Sequence, residues 1–455
     1  MSVQNMREIE HEKLAFNEQE NGFTTKEAIA EAKRCLSCAK PQCKLGCPID
    51  NDIPSFIAAL AAGNVGEAYS IIARKSNLPA VCGRVCPHEK QCEGSCVLAR
   101  AGKEIQIGKL ERFIADFDAE MNLSKMTMRK ESDGKIAVIG SGPAGLTVAG
   151  DLAKDGFFVT VYDSQPEFGG VLMYGIPEFR LNKDVVRREV QKIAKLGVQF
   201  HNNIMVGPDM TVDTMFAEGF DAIFIGSGTA LPRTLNIPGN DLGGVVQATY
   251  FLRTVQLALS GKLDPSEVVV SKGDKVVVVG AGNVAMDAAR SALRLGASEV
   301  TVTFLRVEQD ITALRSEYEE ALHEGVKFRW LTKPSSFVGS TQVEAMEYVD
   351  TFIDEKGDLQ DTDSVGRMPA DVVILAIGQK PAARIVSTTK GIEVAENGYV
   401  ITRERPYGMT TRAGVFAGGD VVHEPATVVL AMREAKKVAQ GISEYVRAKK
   451  LLESC

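Results

Sequence analysis

The chain has 455 residues, enough for several domains that each bury their own core. Its hydrophobic content of 45% and charged content of 24% are typical of a soluble globular protein, and its net charge of -7 argues against general nucleic-acid binding, which needs a basic surface. It contains no apolar run near the ~20 residues of a membrane-spanning helix, and the charged start MSVQNMREIEHEKLAF lacks the apolar core of a signal peptide, so a cytoplasmic protein is expected.

The first elements predicted along the chain are helices. Thr24 and Glu27 have the spacing of a capping box, which marks the start of a helix in TTKEAIAEAKRC. Apolar residues recur at helical spacing in IPSFIAALAAGNVGEAYSIIARK and again in LERFIADFDAEM. Residues 1–132 are therefore predicted to form a helical domain without strands.

Cysteines are concentrated in this helical region. Eight of the nine lie between Cys35 and Cys96, and the ninth, Cys455, is expected to have no role. In a reducing compartment such spacing favours a metal site over disulfides. The run C-x2-C-x4-C-x3-C-P from Cys35 to Cys47 is typical of iron–sulfur ligation, whereas zinc sites usually pair two C-x2-C knuckles and only one is present.

Eight thiols suffice for two 4Fe–4S clusters. The spacing allows one cluster for each run, or an exchange of ligands between runs as in bacterial two-cluster ferredoxins. Structural zinc and a disulfide scaffold are the alternative interpretations.

The pattern changes near residue 133, where KIAVIGSGPAGLTVAGDLAKDGFFVTVYD reads as strand, glycine turn, helix and strand. Its glycines, Gly140-x-Gly142-x-x-Gly145, suit a turn that brings backbone and helix N-terminus to a pyrophosphate. Asp163 ends the second strand, where its carboxylate could accept a hydrogen bond from a ribose hydroxyl. A glycine turn without ligand is the alternative.

A second copy of this unit follows at DKVVVVGAGNVAMDAARSALRLGASEVTVTFLR. Its fingerprint is Gly280-x-Gly282-x-x-Ala285, and its second strand is followed by Arg306 instead of an acidic residue. An arginine at that position suits the 2′-phosphate of NADP, although it could equally be a solvated surface charge. Two dinucleotide units in one chain imply FAD in one and a nicotinamide in the other.

Three more strand ends are predicted to lie close to the nucleotides. Two apolar strands lead to Gly228 and Gly378, and a third leads to Gly419-Asp420 before a helix that starts near Thr427. The predicted fold is therefore α/β, with two Rossmann-like domains, one inserted in the other, after the helical iron–sulfur domain. The domains expected are 1–132 for iron–sulfur, 133–247 with 385–455 for FAD, and 248–384 for NAD(P)H.

These residues also resemble a known family. The motifs that carry the resemblance are CLSCAKPQCKLGCP, CGRVCPHEKQCEGSC, GSGPAGL, FGGVLMYGIPEFRL, GAGNVAMDAAR and VFAGGDVV. They make the chain similar, over nearly its whole length, to the small (beta) subunit of NADPH-dependent glutamate synthase. The amino-terminal region of dihydropyrimidine dehydrogenase and the large subunit of NADH-dependent ferredoxin:NADP oxidoreductase resemble it in the same way.

The resemblance implies a definite set of cluster ligands. One cluster would be bound by Cys35, Cys38, Cys43 and Cys96, and the other by Cys47, Cys86, Cys92 and Glu111. Cys82 would then be a thiol that binds neither cluster. Without the resemblance, Glu111 would be interpreted as a solvated helix residue.

The resemblance also places the FGGVLMYGIPEFRL loop against the flavin, with Arg180 close to the isoalloxazine. The residues assigned to FAD are Gly140, Gly142, Pro143, Ala144, Gly145, Asp163, Gly170, Val171, Leu172, Gly175, Arg180, Gly228, Gly419, Asp420, Thr427 and Val428. Those assigned to NAD(P)H are Gly280, Gly282, Asn283, Val284, Ala285, Arg306 and Gly378. Two departures from the family are a single Arg306 where a pair of arginines is common, and Ala435 where a glycine is common.

The expected activity is electron transfer, in either direction, between NADPH or NADH and a larger partner subunit through FAD and the clusters, and the ferredoxin-linked alternative includes electron bifurcation at the flavin. That partner could be the glutamate synthase large subunit, a ferredoxin-linked subunit or a pyrimidine-reducing subunit. Since the cofactors carry the chemistry, His88, His323 and His423 receive no catalytic role. A thioredoxin-reductase-like enzyme would need a C-x-x-C near the flavin, yet no cysteine occurs from Ala99 to Ser454. A zinc-stapled redox sensor or scaffold is the alternative of a different class.

Overall fold

The structure is a computed structural model that describes residues 16–18, 22–123, 133–381 and 389–454. Cys455 lies outside the described residues. The helices are α1 Thr25–Ala32, α2 Gln42–Leu45, α3 Ile53–Ala61, α4 Val65–Ala73, α5 Pro79–Val85, α6 Ile107–Met121, α7 Pro143–Asp155, α8 Val171–Tyr174, α9 Lys183–Ala194, α10 Val212–Ala217, α11 Ala248–Leu259, α12 Asn283–Arg294, α13 Arg315–Glu324 and α14 Val428–Glu453. Short 3-10 helices occur at His88–Lys90, Val97–Ala101, Pro265–Glu267, Glu308–Asp310 and Gly419–Val421.

The strands are β1 Lys135–Ile139, β2 Phe158–Tyr162, β3 Gln199–His201, β4 Ala222–Ile225, β5 Thr229–Pro232, β6 Val245–Gln247, β7 Lys275–Val279, β8 Glu299–Thr303, β9 Lys327–Arg329, β10 Thr332–Val338, β11 Ala345–Ile353, β12 Leu359–Pro369, β13 Val372–Leu375, β14 Gln379–Pro381, β15 Thr402–Glu404, β16 Tyr407–Thr410 and β17 Val415–Ala417. Strands β5 and β14 form a two-stranded sheet.

The chain divides into two compact units. The larger unit comprises Glu20–Met173, Lys183–Leu231 and Lys380–Cys455, and the smaller one comprises Met1–Gln19, Tyr174–Asn182 and Pro232–Gln379. The helical iron–sulfur region from Glu20 onward therefore belongs to the same unit as most of the two segments expected to bind FAD, but residues 232–247, which were expected with FAD, belong to the smaller unit. The segment Tyr174–Asn182 belongs to the smaller unit, although it was assigned with the flavin residues.

The larger unit is built on a sheet of order β15-β16-β17-β4-β1-β2-β3. Strands β17, β4, β1, β2 and β3 are parallel, and Ile139 at the end of β1 lies beside Tyr162 and Ile225. All but the first residue of β1 and β2 are buried, as expected for strands covered on both faces. The carboxyl ends of the parallel strands therefore meet at the first glycine turn.

The smaller unit contains a parallel sheet of order β6-β13-β7-β8-β9, in which Val279 lies beside Thr303 and Leu375. A separate antiparallel sheet of order β10-β11-β12 follows β9. Strand β10 alternates buried and exposed residues along part of its length because one face packs on the core. This second sheet had not been predicted.

The helical region contains no strand among residues 22–123. Thr24 caps α1 as the capping box predicted, with Glu27 returning a hydrogen bond to the backbone of Thr24. Helix α6 packs against α4 and α5 and buries Leu110, Ile114 and Ala115. Of the helices described here, none has both the length and the apolar character needed to cross a bilayer.

Candidate cofactor sites

Four thiols surround a cavity of about 400 Å³, here called the first thiol cavity. They belong to Cys35, Cys38, Cys43 and Cys96, the set that the resemblance implied for one cluster. The eight cysteines of the region are all free, with no disulfide between them. The cysteine spacing alone left open whether each run binds its own cluster or the two runs exchange ligands. The fold places Cys96, from the second run, beside the cysteines of the first run.

Glu31 explains how residues so distant in sequence meet. Its buried carboxylate accepts hydrogen bonds from Arg34 at 2.6 Å and from the backbone N–H of Gln106 at 2.9 Å. Arg34 also donates to the carbonyl of Lys103 at 2.6 Å. These bonds hold the segment that follows Cys96 against the end of α1, from which the first cysteine run begins.

A second cavity of about 350 Å³, the second thiol cavity, is lined by five sulfur or carboxylate donors. They belong to Cys47, Cys82, Cys86, Cys92 and Glu111. Asn51, His88 and Val429 also line this cavity, and Ile107 lines both cavities. The two thiol cavities are thus neighbours with the Ile107 side chain between them.

Several buried polar atoms face the second thiol cavity without a partner. Glu111 is only 8% exposed, and its Oε1 makes no hydrogen bond, so it is not the solvated residue that the helix alone suggested. Burial, and then the charge of Glu189, raises the pKa of Glu111 to about 8. The Nε2 of His88 and the Oδ1 of Asn51 also lack partners. Burial lowers the pKa of His88 to about 4, so its imidazole is neutral.

Each cavity contains thiols that are poorly ionised on their own, because burial raises their pKa. Burial raises the pKa of Cys43 and of Cys47 to about 11 in each case, and it raises that of Cys92 further. A bound metal group would supply the positive charge that keeps such thiolates ionised.

Among the described residues, no group of three or more His, Cys, Asp or Glu side chains is close enough to hold one metal ion. Each donor set instead lines a cavity, as expected for the ligands of an inorganic cluster, which is larger than a single ion. The donor atoms therefore fit iron–sulfur clusters.

The first glycine turn has the geometry of a pyrophosphate site. Gly140 has a φ of 94°, and a Cβ at Gly145 would lie 1.9 Å from the carbonyl oxygen of Gly140. No side chain caps α7 at Gly142, whereas a Cβ there would meet nothing within 4 Å. The first amides of α7 are thus available to a phosphate.

Asp163 has a structural task at this turn. Its carboxylate accepts hydrogen bonds from the N–H and the hydroxyl of Ser141, at 2.7 and 2.5 Å, and from the N–H of Gln165 at 2.8 Å. Ser141 in turn accepts a bond from the N–H of Gly169 at 3.0 Å. Asp163 thereby joins the glycine turn to the loop that carries Gly170, where a Cβ would lie 2.9 Å from the Cα of Gly142.

The last predicted flavin segment reaches the same turn. A Cβ at Gly419, whose φ is 73°, would lie 2.9 Å from the Cβ of Ala144. Burial raises the pKa of the neighbouring Asp420 to about 6. Helix α14 starts at Val428, and its N-cap Thr427 accepts a bond from the N–H of Leu430.

The remaining residues that were predicted to bind FAD are divided between the two units. Gly228, with a φ of 66°, and the α8 residues Val171 and Leu172 belong to the larger unit. Gly175 and Arg180 belong to the smaller one.

In the smaller unit, the Arg180 guanidinium is held by carboxylates of α12 and α13. It lies 2.9 Å from Asp287 and 2.7 Å from Glu317. Its placement beside the isoalloxazine stays a prediction.

The second glycine turn repeats the geometry of the first. Gly280 has a φ of 118°, and a Cβ there would lie 2.4 Å from the carbonyl oxygen of Ala376. Gly282 precedes α12 without a side-chain cap. Asn283 accepts a hydrogen bond from the N–H of Leu314 at 2.8 Å, which ties the turn to the loop before α13.

Four other residues were assigned to the NAD(P)H site. Ala285 is buried, Val284 is 43% exposed, and Gly378 has a φ of 95° beyond the end of β13. The Arg306 side chain is 40% exposed and lies 3.7 Å from the carboxylate of Asp310.

Comparison with known proteins defines the class. The family model "Pyridine nucleotide-disulphide oxidoreductase" matches residues 134–435, and "Dihydropyrimidine dehydrogenase domain II, 4Fe-4S cluster" matches residues 12–123. FprA, an oxidoreductase of Mycobacterium tuberculosis, shares the fold with a TM-score of 0.58 at 19% identity, over 71% of this chain and 86% of that one. The protein is an NAD(P)H-dependent flavin oxidoreductase with an amino-terminal iron–sulfur domain.

Full-length relatives place it within that class. The small chain of NADPH glutamate synthase from Halomonas elongata is 37% identical over 93% of this chain and 92% of its own length. The corresponding Escherichia coli chain is 35% identical over 95% and 94%. The chain belongs to the glutamate synthase small-chain family, which confirms the resemblance, the α/β fold class, and the assignment of FAD, NAD(P)H and 4Fe–4S chemistry.

Sequence reasoning missed some residues of the second thiol cavity. His88 lies in CPHEKQC, but its spacing to the cysteines carried no signal that it would line the cavity. Asn51 and Val429 likewise have no motif of their own. Val429 was detectable only indirectly, since it directly follows the helix start predicted near Thr427.

Proposed function

We propose that this chain passes electrons from NADPH, through FAD and two 4Fe–4S clusters, to the large subunit of a glutamate synthase. The observation that carries the proposal is the pair of adjacent thiol cavities, each lined by at least four thiol or carboxylate side chains. When bound, the flavin accepts a hydride from the nicotinamide and releases electrons singly to the clusters, and the protein holds these groups in place.

The first cluster is assigned to Cys35, Cys38, Cys43 and Cys96, which surround the first thiol cavity. The second is assigned to three thiols, those of Cys47, Cys86 and Cys92, with Glu111 as the fourth ligand. Glu111 is preferred to Cys82 because its Oε1 faces the cavity without a partner, whereas the thiol of Cys82 already contacts another sulfur.

The order of transfer follows from which elements line each cavity. Val429, in the second thiol cavity, lies in the first turn of α14, next to the proposed flavin residues Thr427 and Val428. Ile107 separates this cavity from the first one, beside which Leu36 and Val97 are exposed. These neighbours support a path from the flavin to the second cluster, then to the first cluster, and then out to the partner.

The preference for NADPH over NADH and the identity of the partner subunit each rest on one observation. Arg306 is the cation at the position where a 2′-phosphate would lie, which favours NADPH. The curated relatives are named as small chains of NADPH glutamate synthase, so a larger subunit that reduces its substrate with these electrons is the natural acceptor.

Anaerobically purified protein tests the proposal. We expect iron and acid-labile sulfide for two clusters per FAD, and bleaching of the flavin by NADPH. Cys96→Ser should remove the first cluster's signal from the electron paramagnetic resonance spectrum and leave the second, because only the first cavity contains that thiol. Zinc in place of iron, or a flavin that NADPH does not bleach, would refute the proposal. Affinity capture from native extract should recover the large subunit of glutamate synthase.

A further inference from the structure

Three exposed apolar side chains lie in the segments that form the first thiol cavity, and two of them line it. We call residues 33–47 and 96–103 the rim face, since they carry the four cysteines of that cavity. Within it Leu36 is 61% exposed, Leu45 is 76% exposed and Val97 is 41% exposed. Leu36 and Val97 line the cavity, and Leu45 ends the short helix that contains Cys43. Aliphatic side chains gathered on a surface in this way mark a site of protein contact.

The same face is strongly cationic. It contains six lysines and arginines and no aspartate or glutamate, in a chain that has 59 acidic and 52 basic residues. Arg34 is paired with Glu31, and Lys44 lies 3.5 Å from Asp52. Each of the other four cations is exposed and makes no ion pair within the described ranges: Lys33, Lys40, Arg100 and Lys103.

The places of these cations in the sequence, relative to the cysteines, indicate where they lie with respect to the cavity. Lys40 lies between Cys38 and Cys43, and Arg100 follows Cys96 by one turn. The hydrogen bond from Arg34 to the carbonyl of Lys103 brings the two segments together. The exposed cations therefore belong to the same two segments that carry the four cysteines of the cavity and the exposed leucines.

We propose that the rim face docks a redox protein whose own centre lies under an apolar spot ringed by carboxylates. Opposite charge steers such a partner during encounter, and the apolar contact then brings the two redox centres close. The chain's overall net charge of -7 would repel an acidic partner elsewhere, so the attraction is local to this face. This inference rests on the proposed function, because it requires the first cluster to be the point where electrons pass, in either direction, between this chain and its partner.

The test uses the anaerobic holoprotein and, as a probe, a reduced plant-type 2Fe–2S ferredoxin, which is acidic. Stopped-flow absorbance follows oxidation of the ferredoxin at rising salt. We expect the second-order rate constant to fall as ionic strength rises from about 0.01 M to about 0.5 M, because salt screens the attraction. The double variant Lys40→Glu with Arg100→Glu should react about tenfold more slowly at low salt.

Matched variants separate docking from folding. Lys195→Glu changes the same kind of charge at an exposed residue beyond α9 and should leave the rate unchanged. If the double variant lost iron, Lys33→Glu with Lys103→Glu would replace it, since neither residue lies between two cysteines of the first thiol cavity in the same segment.

Bleaching of the flavin by NADPH reports on the proposed function separately, and it should be equal in all variants. If NADPH bleaches the flavin normally but the rim variants react with ferredoxin at the wild-type rate, the docking proposal is wrong. It is equally overturned if the rate constant of the wild type with ferredoxin does not fall as the salt concentration rises. Dimers of the wild type at low salt that the double variant abolishes would assign the face to a second copy of this chain instead.

Discussion

The Sγ of Cys82 lies 3.6 Å from the Sδ of Met432, so the second thiol cavity is joined directly to the C-terminal helix α14. Both residues are buried. Cys82 also hydrogen-bonds with the thiol of Cys86, and this bond, followed by burial, raises the pKa of Cys86. A thiol held between a second thiol and a thioether differs from Glu111, whose Oε1 is unpartnered. This contrast suggests that Cys82 supports the cavity instead of completing a ligand set.

Cys82→Ala should therefore keep both clusters and cost stability alone. Loss of the sulfur leaves a small void between α5 and α14, for which we expect a decrease of about 1–2 kcal/mol in the free energy of unfolding. Iron per FAD and denaturant unfolding measure the two effects. Cys86→Ala, one helical turn away, is the comparison and should lose the second cluster. If Cys82→Ala yielded a 3Fe–4S signal, Cys82 would be a ligand.

Glu111→Gln tests the carboxylate ligand. Replacing an anionic ligand with a neutral amide lowers the negative charge on the second cluster, so its reduction potential should rise by on the order of tens of millivolts. A redox titration monitored by electron paramagnetic resonance measures this shift. Glu120→Gln, an exposed change near the end of the same helix, should leave the potential unchanged. An unshifted potential in Glu111→Gln would remove the residue from the ligand set.

Asp116 joins the iron–sulfur helices to α9 of the flavin-binding part. Its carboxylate lies 2.8 Å from Arg84 of α5 and 2.5 Å from Arg188 of α9. Burial alone would raise the pKa of Asp116, but the hydrogen bonds and charges of these arginines outweigh it and lower the pKa. Asp116→Asn removes one carboxylate that both arginines contact, so we expect a loss of about 2–3 kcal/mol at neutral pH.

The pH dependence has a definite sign. Since the folded pKa is below the unfolded one, the stabilisation is complete above the unfolded value of about 4 and is lost as pH falls through the folded value. The difference between wild type and Asp116→Asn should therefore stay constant from about pH 8 to about pH 5 in urea unfolding. Asp361→Asn, in an exposed pair with Lys333, should cost less than about 0.5 kcal/mol. A difference that vanished by pH 5 would contradict this account.

The glycine turns could be predicted because every signal for them is local. Strand, turn, helix and second strand follow one another within about 30 residues, and the required φ at Gly140 and Gly280 excludes most other residues. The capping box at Thr24 is local for the same reason. The three-stranded sheet β10-β11-β12 carried a weaker signal, because two bulges interrupt the alternation of its strands.

The thiol cavities depended on long-range contacts that spacing does not encode. Cys96 reaches the first run because Glu31 binds Arg34 and the backbone of Gln106. The burial of Glu111 likewise depends on the packing of α6 against α5, which its own helix does not reveal. Only the resemblance to a family supplied these two residues at the level of sequence.

Substitutions at two glycines of the first turn should affect ligand binding and folding separately. A Cβ at Gly142 would meet no protein atom within 4 Å, whereas a Cβ at Gly145 would lie 1.9 Å from a carbonyl oxygen. Gly142→Ala should therefore keep the fold but weaken FAD binding about tenfold or more, because the new methyl group occupies the space where the pyrophosphate approaches. Gly145→Ala should lower the yield of folded protein. Circular dichroism and fluorescence titration with FAD measure these effects, and normal FAD affinity in Gly142→Ala would place the pyrophosphate elsewhere.

The role of Arg306 can be tested by comparing KM for NADPH with KM for NADH. Its guanidinium lies 3.7 Å from Asp310, and both side chains are well exposed, so this pair is weak and a 2′-phosphate could replace the carboxylate. Arg306→Ala should raise KM for NADPH about tenfold and leave KM for NADH unchanged, because only NADPH carries the phosphate. Asp310→Asn should lower KM for NADPH by removing the competing anion. Lys327→Ala, at an exposed pair with Glu299 near the opposite end of β8, should change neither constant. Equal increases for both nucleotides in Arg306→Ala would show that the residue contacts a part that the two coenzymes share.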